Sequence, residues 1–236
     1  MSADASLFDT DTAVVATAAL IDDAARDRLV VRGADAGTYL QSQLAQELRD
    51  LAVGAARWTF VLAPTGKVDA LARIIHSADD EYVLDIEAGF GEALAARVQR
   101  FMIRVDVDIE LQLASAPQPS DVIEAARIVA GWPRMGAEIV AGETIPATTG
   151  VVPFAVNFTK GCYPGQELVE RMDSRGADAP QRLVVLDVEA GAAAGDSIVV
   201  GDVEVGMITS VSPAGQVAIA LVKRGVEIGR LPAHLV

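Results

Sequence analysis

The chain has few of the residues that metal and redox sites require: one cysteine and two histidines among 236 residues. A single cysteine excludes an intramolecular disulfide, and the set cannot supply a four-cysteine or Cys2His2 site. We therefore predict no metal site and no iron–sulfur cluster held by this chain alone, although Cys162 could be one ligand of a shared cluster. A catalytic pair of Cys162 with His76 or His234 would need the fold to bring the two together.

Other absences narrow the class of protein. No apolar run reaches the roughly 18 residues of a membrane-spanning helix, and residues 1–11 lack the basic and apolar regions of a signal peptide. With 19 basic against 33 acidic residues, the formal net charge of −14 disfavours direct binding of nucleic acid. Together these features predict a cytoplasmic protein that contacts neither membranes nor nucleic acids directly.

Hydrophobic residues make up 51% of the chain, enough for one large or two modest domains. Residues 1–22, acidic and alanine-rich, are predicted to be a loosely held arm. After them, helical and strand periodicities alternate, with the hairpins grouped together, which is typical of an α+β fold with largely antiparallel sheet. The predicted elements are strands at 28–32, 57–62, 68–75, 81–86 and 103–113, and helices at 35–51, 89–101 and 122–129, the last with Asp121 as its N-cap and Gly131 as its stop.

The predicted secondary structure changes after Pro180. Five short predicted strands follow, at residues 182–188, 197–200, 203–210, 216–222 and 226–228, separated by glycine-rich turns. This spacing is typical of a small closed or half-closed β-barrel. We therefore predict two domains, residues 1–179 and residues 180–236.

The octet Lys160–Glu167 contains the only cysteine. Lys160 lies two residues before the sulfur, and nearby positive charge favours the reactive thiolate. Pro164 and Gly165 interrupt the chain, and residues 166–171 read as the start of a helix. These neighbours favour a cysteine placed for chemistry, although a free cysteine can also be a small buried hydrophobe.

The octet resembles the signature Lys-Gly-Cys-aromatic-x-Gly-Gln-Glu of the YgfZ family, folate-binding proteins related to the glycine cleavage T protein. Residues 127–138 are similar to the family's R-x-x-x-G-x-P-x-x-G-x-E run, and residues 206–210 to its G-x-V-T-S strand. Residues 31–41 also match the family's first strand and helix. The resemblance spans most of the chain in the same order.

The resemblance implies a T-protein-like body of intertwined antiparallel-sheet modules around a central hole, followed by a small C-terminal β-barrel. The implied role is that of an accessory factor in the assembly or repair of iron–sulfur proteins, which supports tRNA modification indirectly. The implied cofactor is tetrahydrofolate or a derivative. The implied partners are folate and iron–sulfur client proteins or cluster carriers.

The resemblance also implies site residues. Cys162 would be the functional thiol, Lys160 its activating neighbour, and Glu138 the carboxylate that faces the pterin ring. The remaining implied folate-binding residues are Arg127, Tyr163, Gln166 and Glu167, of which the last two shape the turn. One departure weakens a standard folate site, because T proteins carry an acid two residues after Arg127, where this chain has Val129. Another is that residues 42–47 replace a Thr-Asn-Asp pattern.

Two other functions stay open on the sequence alone. The chain could be a tetrahydrofolate-dependent aminomethyltransferase of the glycine cleavage system, although such enzymes are usually longer and lack the octet. It could also be a noncatalytic scaffold with an inert cysteine. The sequence leaves open which client proteins and which folate form are involved, and whether the chain catalyses a reaction.

Overall fold

The computed structural model describes residues 25–116, 118–174 and 179–230, so the predicted arm at 1–22 lies outside the described residues. The elements of the first part are β1 (Arg26–Arg32), α1 (Ala36–Gln43), β2 (Ala56–Leu62), β3 (Val68–Ala78), β4 (Glu81–Glu87), α2 (Gly91–Gln99), β5 (Asp108–Gln112) and α3 (Asp121–Ala130). They are followed by a 3-10 helix (Pro146–Thr149), α4 (Val152–Ala155), α5 (Gln166–Ser174), β6 (Gln181–Asp187), β7 (Ser197–Val200), β8 (Val203–Val211) and β9 (Val217–Lys223).

The first sheet has five strands in the order β2-β3-β4-β1-β5, and every neighbouring pair is antiparallel. Helix α2 contacts β1 and helix α1 contacts β4. The long segment between α3 and α5 shares the same core, where Trp132 packs on Trp58 with ring centroids 5.1 Å apart and on Phe154 at 5.8 Å. This packing fixes the segment that carries the octet against the sheet.

The second sheet contains β6, β9, β8 and β7 in that order, again antiparallel throughout. The α+β class with two antiparallel sheets is therefore confirmed. Residues 226–228, predicted to be a strand, form none; instead Arg230 makes an isolated bridge with Val185. Closure of this sheet into a barrel and a domain boundary at residues 179/180 stay predictions.

Several element boundaries differ from the sequence prediction. Helix α1 ends at Gln43 instead of continuing to Leu51, because Leu44 adopts an extended conformation and bridges to Val61. Leu48 and Leu51 are buried all the same, outside the helix. The apolar spacing that predicted a longer helix reports burial correctly and conformation wrongly.

Strand β5 is shorter than the eleven residues predicted. Ile103 is 74% exposed and Leu113 68% exposed, and Arg104 has a positive φ of 55° that interrupts extended backbone. Helix α3 begins one residue earlier than expected, since the Ser120 hydroxyl, not the Asp121 carboxylate, accepts from the Ile123 amide. Its predicted end at Gly131 is confirmed, with this glycine in the left-handed region.

Candidate functional site

The cysteine loop, residues 160–166, presents its thiol at the surface. Cys162 is exposed, as is Gly161 before it, whereas Tyr163 after it is buried in the main core. The loop therefore exposes the side chain of Cys162 and buries that of Tyr163, the next residue. Contacts within the fold account for Lys160, Gly165 and Gln166 in this loop, but not for Gly161.

Lys160 anchors the start of the loop to the end of helix α1. Its ammonium donates to the backbone carbonyl oxygens of Gln41 at 2.6 Å, Leu44 at 2.5 Å and Gln46 at 3.1 Å. Gln41 lies in the last turn of the helix, whose carbonyls have no partner within it, Leu44 is its C-cap, and Gln46 follows; the three donors of the ammonium are therefore all used. Burial lowers the pKa of Lys160 to about 8, opposed by the nearby carboxylate of Glu47. An activating effect of Lys160 on the thiol stays a prediction.

Gly165 anchors the end of the loop against the turn between β2 and β3. Its φ is +81°, and an added Cβ would lie 2.4 Å from the Ala63 carbonyl oxygen. Gly66 in the facing turn is equally crowded, since a Cβ there would lie 2.3 Å from Leu168 Cβ. By contrast, a Cβ at Gly161 would meet no atom within 4 Å. The space beside Cys162 is thus open, and nothing in the fold requires glycine at 161.

The remaining octet residues shape the turn. The Gln166 side-chain carbonyl accepts from the Tyr163 amide at 2.8 Å, as helix α5 begins. The Tyr163 ring lies 5.2 Å from the Lys160 ammonium, and burial raises the pKa of its hydroxyl to about 12. Glu167 is exposed in the first turn of α5. The structure therefore brings Lys160, Cys162, Tyr163, Gln166 and Glu167 into one loop.

Arg127 and Glu138 lie in a second cluster, a buried ion network between α3 and β8. All five N–H groups of the Arg127 guanidinium have acceptors in this network. They donate to both carboxylate oxygens of Glu124 at 2.7 and 2.9 Å, the Trp132 carbonyl at 2.7 Å, Glu138 Oε2 at 3.0 Å and Ser210 Oγ at 2.8 Å. No donor of Arg127 is left for a ligand in this arrangement.

Glu138 is equally occupied, and only 1% of it is exposed. Its Oε1 accepts from the hydroxyls of Thr209 at 2.8 Å and Ser210 at 2.6 Å. Its Oε2 accepts from Arg127 at 3.0 Å and the Arg134 amide at 3.1 Å. The pair ties the first part of the chain to the C-terminal sheet. Contact of either residue with folate stays a prediction, and it would require this network to open.

A cavity of about 180 Å³ lies beside the network. Its lining includes Arg26, Glu87, Phe90, Arg127 and Met135. Glu87 ends strand β4; its Oε1 accepts from Arg26 at 3.3 Å, while its buried Oε2 has no hydrogen-bond partner among the residues that the structure describes. Sequence reasoning missed Glu87, because an acid at the end of a strand belongs to no motif of the chain.

Of the two histidines only His76 lies among the described residues, and its contacts are away from Cys162. His76 Nδ1 lies 2.7 Å from the Leu51 carbonyl oxygen, and its ring stacks on Tyr82; His234 lies outside the described residues. The described part of the chain contains no group of three or more His, Cys, Asp or Glu side chains that could hold a metal ion. Nor does any helix in the ranges described have the length and apolarity to cross a membrane.

Comparison with known proteins identifies the fold. No family model matches the chain. An uncharacterized protein of Haemophilus influenzae is 27% identical over 186 residues, and the match spans 63% of this chain and 66% of that protein. The crystal structure of glycine cleavage system aminomethyltransferase T from Bartonella henselae matches with a TM-score of 0.70 at 15% identity, covering 88% of this chain and 78% of that one. The chain therefore has the fold of the glycine cleavage T protein, which is the fold that the YgfZ resemblance predicts.

Proposed function

We propose that this chain is a folate-binding accessory factor of the YgfZ type, which acts through Cys162 in the assembly or repair of iron–sulfur proteins. The observation that carries the proposal is the exposed thiol on a loop whose neighbouring side chains are all anchored. A fixed loop with open space beside the sulfur suits a thiol that must meet a partner protein or a cluster. The role in tRNA modification would follow indirectly, through an iron–sulfur enzyme.

Folate binding is supported by the T-protein fold and by the sequence resemblance. The pterin ring presents an amino group and a ring N–H as parallel donors, which suit a carboxylate. Glu138 and Arg127 do not offer free groups in the observed arrangement. Glu87, a residue of the cavity wall, has one buried carboxylate oxygen without a hydrogen-bond partner among the described residues. Tetrahydrofolate or a derivative would supply a one-carbon carrier or a reduced ring when bound there.

The test is rescue of a bacterial strain that lacks its own factor of this type. The wild-type chain should restore the activity of an iron–sulfur enzyme in this strain, and Cys162→Ser should reduce the rescue to that of the empty vector. Thr65→Ala, on the exposed turn beside the loop, is the matched control and should rescue fully. Full rescue by Cys162→Ser, with equal protein levels, would overturn the role of the thiol.

The fold similarity favours one alternative, a tetrahydrofolate-dependent aminomethyltransferase of the glycine cleavage system. Such an enzyme would release ammonia from an aminomethylated lipoyl carrier protein when tetrahydrofolate is added. The accessory-factor proposal predicts no ammonia above the carrier-only background. Release that depends on both folate and the chain would decide for the enzyme.

A further inference from the structure

We propose that Glu87, and not Glu138, is the carboxylate that recognises the amino-substituted ring of the ligand. This inference rests on the proposed folate-binding function and names the side chain that would accept hydrogen bonds from the ligand ring. The chain has Val129 where T proteins carry an acid, and Val129 is 50% exposed and does not line the cavity. Glu138, the acid that the resemblance places against the ring, has both oxygens occupied, so recognition of the ring needs a different acid, one that lines the cavity.

The hydrogen bonds within the cavity wall identify that acid. Both oxygens of Glu124 are taken by Arg127 and Arg134, and both oxygens of the adjacent Glu138 are saturated. Glu87 differs, since its Oε2 is buried without a partner. A buried acceptor without a donor is unfavourable and calls for an explanation; a ligand donor would satisfy it.

The cavity also suits the shape of a ring. At about 180 Å³ it is of the order of the ~150 Å³ cavity that holds benzene in another protein, so it fits a small ring system and not a whole folate. The Phe90 ring forms part of the wall, packed so closely on Gly136 that a Cβ there would lie 2.9 Å from Phe90 Cζ. Glu87 Oε2 is buried in this wall, and because the terminal torsion of a glutamate is broad, rotation of the carboxylate would present this oxygen to a ligand ring in the cavity.

The experiment measures ligand binding by calorimetry with two matched probes. Pterin-6-carboxylate carries the 2-amino group, and lumazine-6-carboxylate has an oxygen in its place. The wild-type chain should bind the pterin about 10- to 100-fold more tightly than the lumazine, as expected for a hydrogen bond to a charged acceptor. In Glu87→Gln this preference should be lost, while Glu92→Gln, on an exposed acid of α2, should keep it.

The outcomes separate this inference from the proposed function. The ratio between the two probes does not depend on the fraction of folded protein, so a partly unfolded variant still gives an answer. If Glu87→Gln retains the wild-type preference, or if only Glu138→Gln removes it, the assignment of Glu87 is wrong and the folate-binding proposal stands. If the wild-type chain binds neither the pterin nor 5-formyltetrahydrofolate, the folate-binding proposal fails, and the assignment fails with it.

Discussion

The cysteine loop and the Arg127–Glu138 network differ in how they use the residues that the sequence motifs mark. In the network, Arg127 and Glu138 have every hydrogen-bonding group occupied inside the protein. In the loop, Lys160 and Gln166 are occupied in the same way, but they surround a thiol that is exposed. The comparison teaches that polar residues of a motif can hold a loop or an interface in place, and that the exposed thiol is the group left free to contact a partner.

The network should show the largest effect of a single substitution. Arg127→Met removes the cation that compensates the buried carboxylate of Glu138 and the half-buried one of Glu124, and we expect a loss of about 3–5 kcal/mol in the free energy of unfolding. Urea denaturation followed by tryptophan fluorescence measures it. Arg171→Met, on an exposed arginine of α5, is the control and should change stability by less than about 0.5 kcal/mol. Equally small changes in the free energy of unfolding for both variants would show that the network does not stabilise the fold.

Lys160→Met tests the anchor of the cysteine loop. The three carbonyls that it satisfies belong to residues packed at the end of α1, and leaving buried acceptors without donors should cost about 3 kcal/mol or less. We also expect faster hydrogen exchange in residues 160–166 than in the wild-type chain. If stability and exchange stay unchanged, Lys160 is a surface charge and the loop is held by other contacts.

The two glycines that flank the thiol sharpen the comparison within the loop. Gly165→Ala should destabilise the protein by about 2 kcal/mol, because its φ is positive and the new Cβ meets the Ala63 carbonyl. Gly161→Ala should change the free energy of unfolding by less than about 0.5 kcal/mol. If Gly161→Ala nevertheless impairs rescue of the iron–sulfur enzyme, the open space serves access to the thiol. The pair would contradict the structure if the two stability effects were reversed.

The pH dependence of stability tests the burial of the Lys160 ammonium. Burial lowers the pKa of Lys160 from 10.5 to about 8, and the nearby carboxylate of Glu47 opposes this shift. Between these two pH values the unfolded chain binds a proton at Lys160 that the folded chain does not. The contribution of Lys160 therefore makes the free energy of unfolding rise between about pH 8 and about pH 10.5. The difference in the free energy of unfolding between wild type and Lys160→Met, measured at both ends of this pH range, isolates the contribution of Lys160. A constant difference would show that the lysine does not titrate there.

Much of the fold could be predicted from the sequence, because local patterns carry it. Strands β1 to β4, the turns between them and the end of helix α3 at Gly131 follow from alternation and glycine. The end of α1 could not be predicted in this way. The carbonyls of Gln41 in its last turn and of Leu44 at its C-cap are satisfied by Lys160, more than 110 residues away in the sequence, and local spacing contains no signal for such a contact.

The local structure of the octet was predictable from the sequence, but the hydrogen-bond partners of the candidate residues were not. The octet correctly indicated one loop around Cys162. The pattern at 127–138 did bring Arg127 to Glu138, but a sequence gives no count of the donors that surround a carboxylate. Glu87 could not be predicted as a site residue for the same reason, since a missing hydrogen bond is a property of the folded chain.

The most direct test of the central claim is the reactivity of Cys162 in the native protein. The iodoacetamide reaction rate of the native chain should be comparable to that of the chain unfolded in urea, because the thiol is exposed while its neighbours are anchored. Circular dichroism of the modified protein should match that of the unmodified protein. A native thiol that reacts only when the chain unfolds would contradict the account.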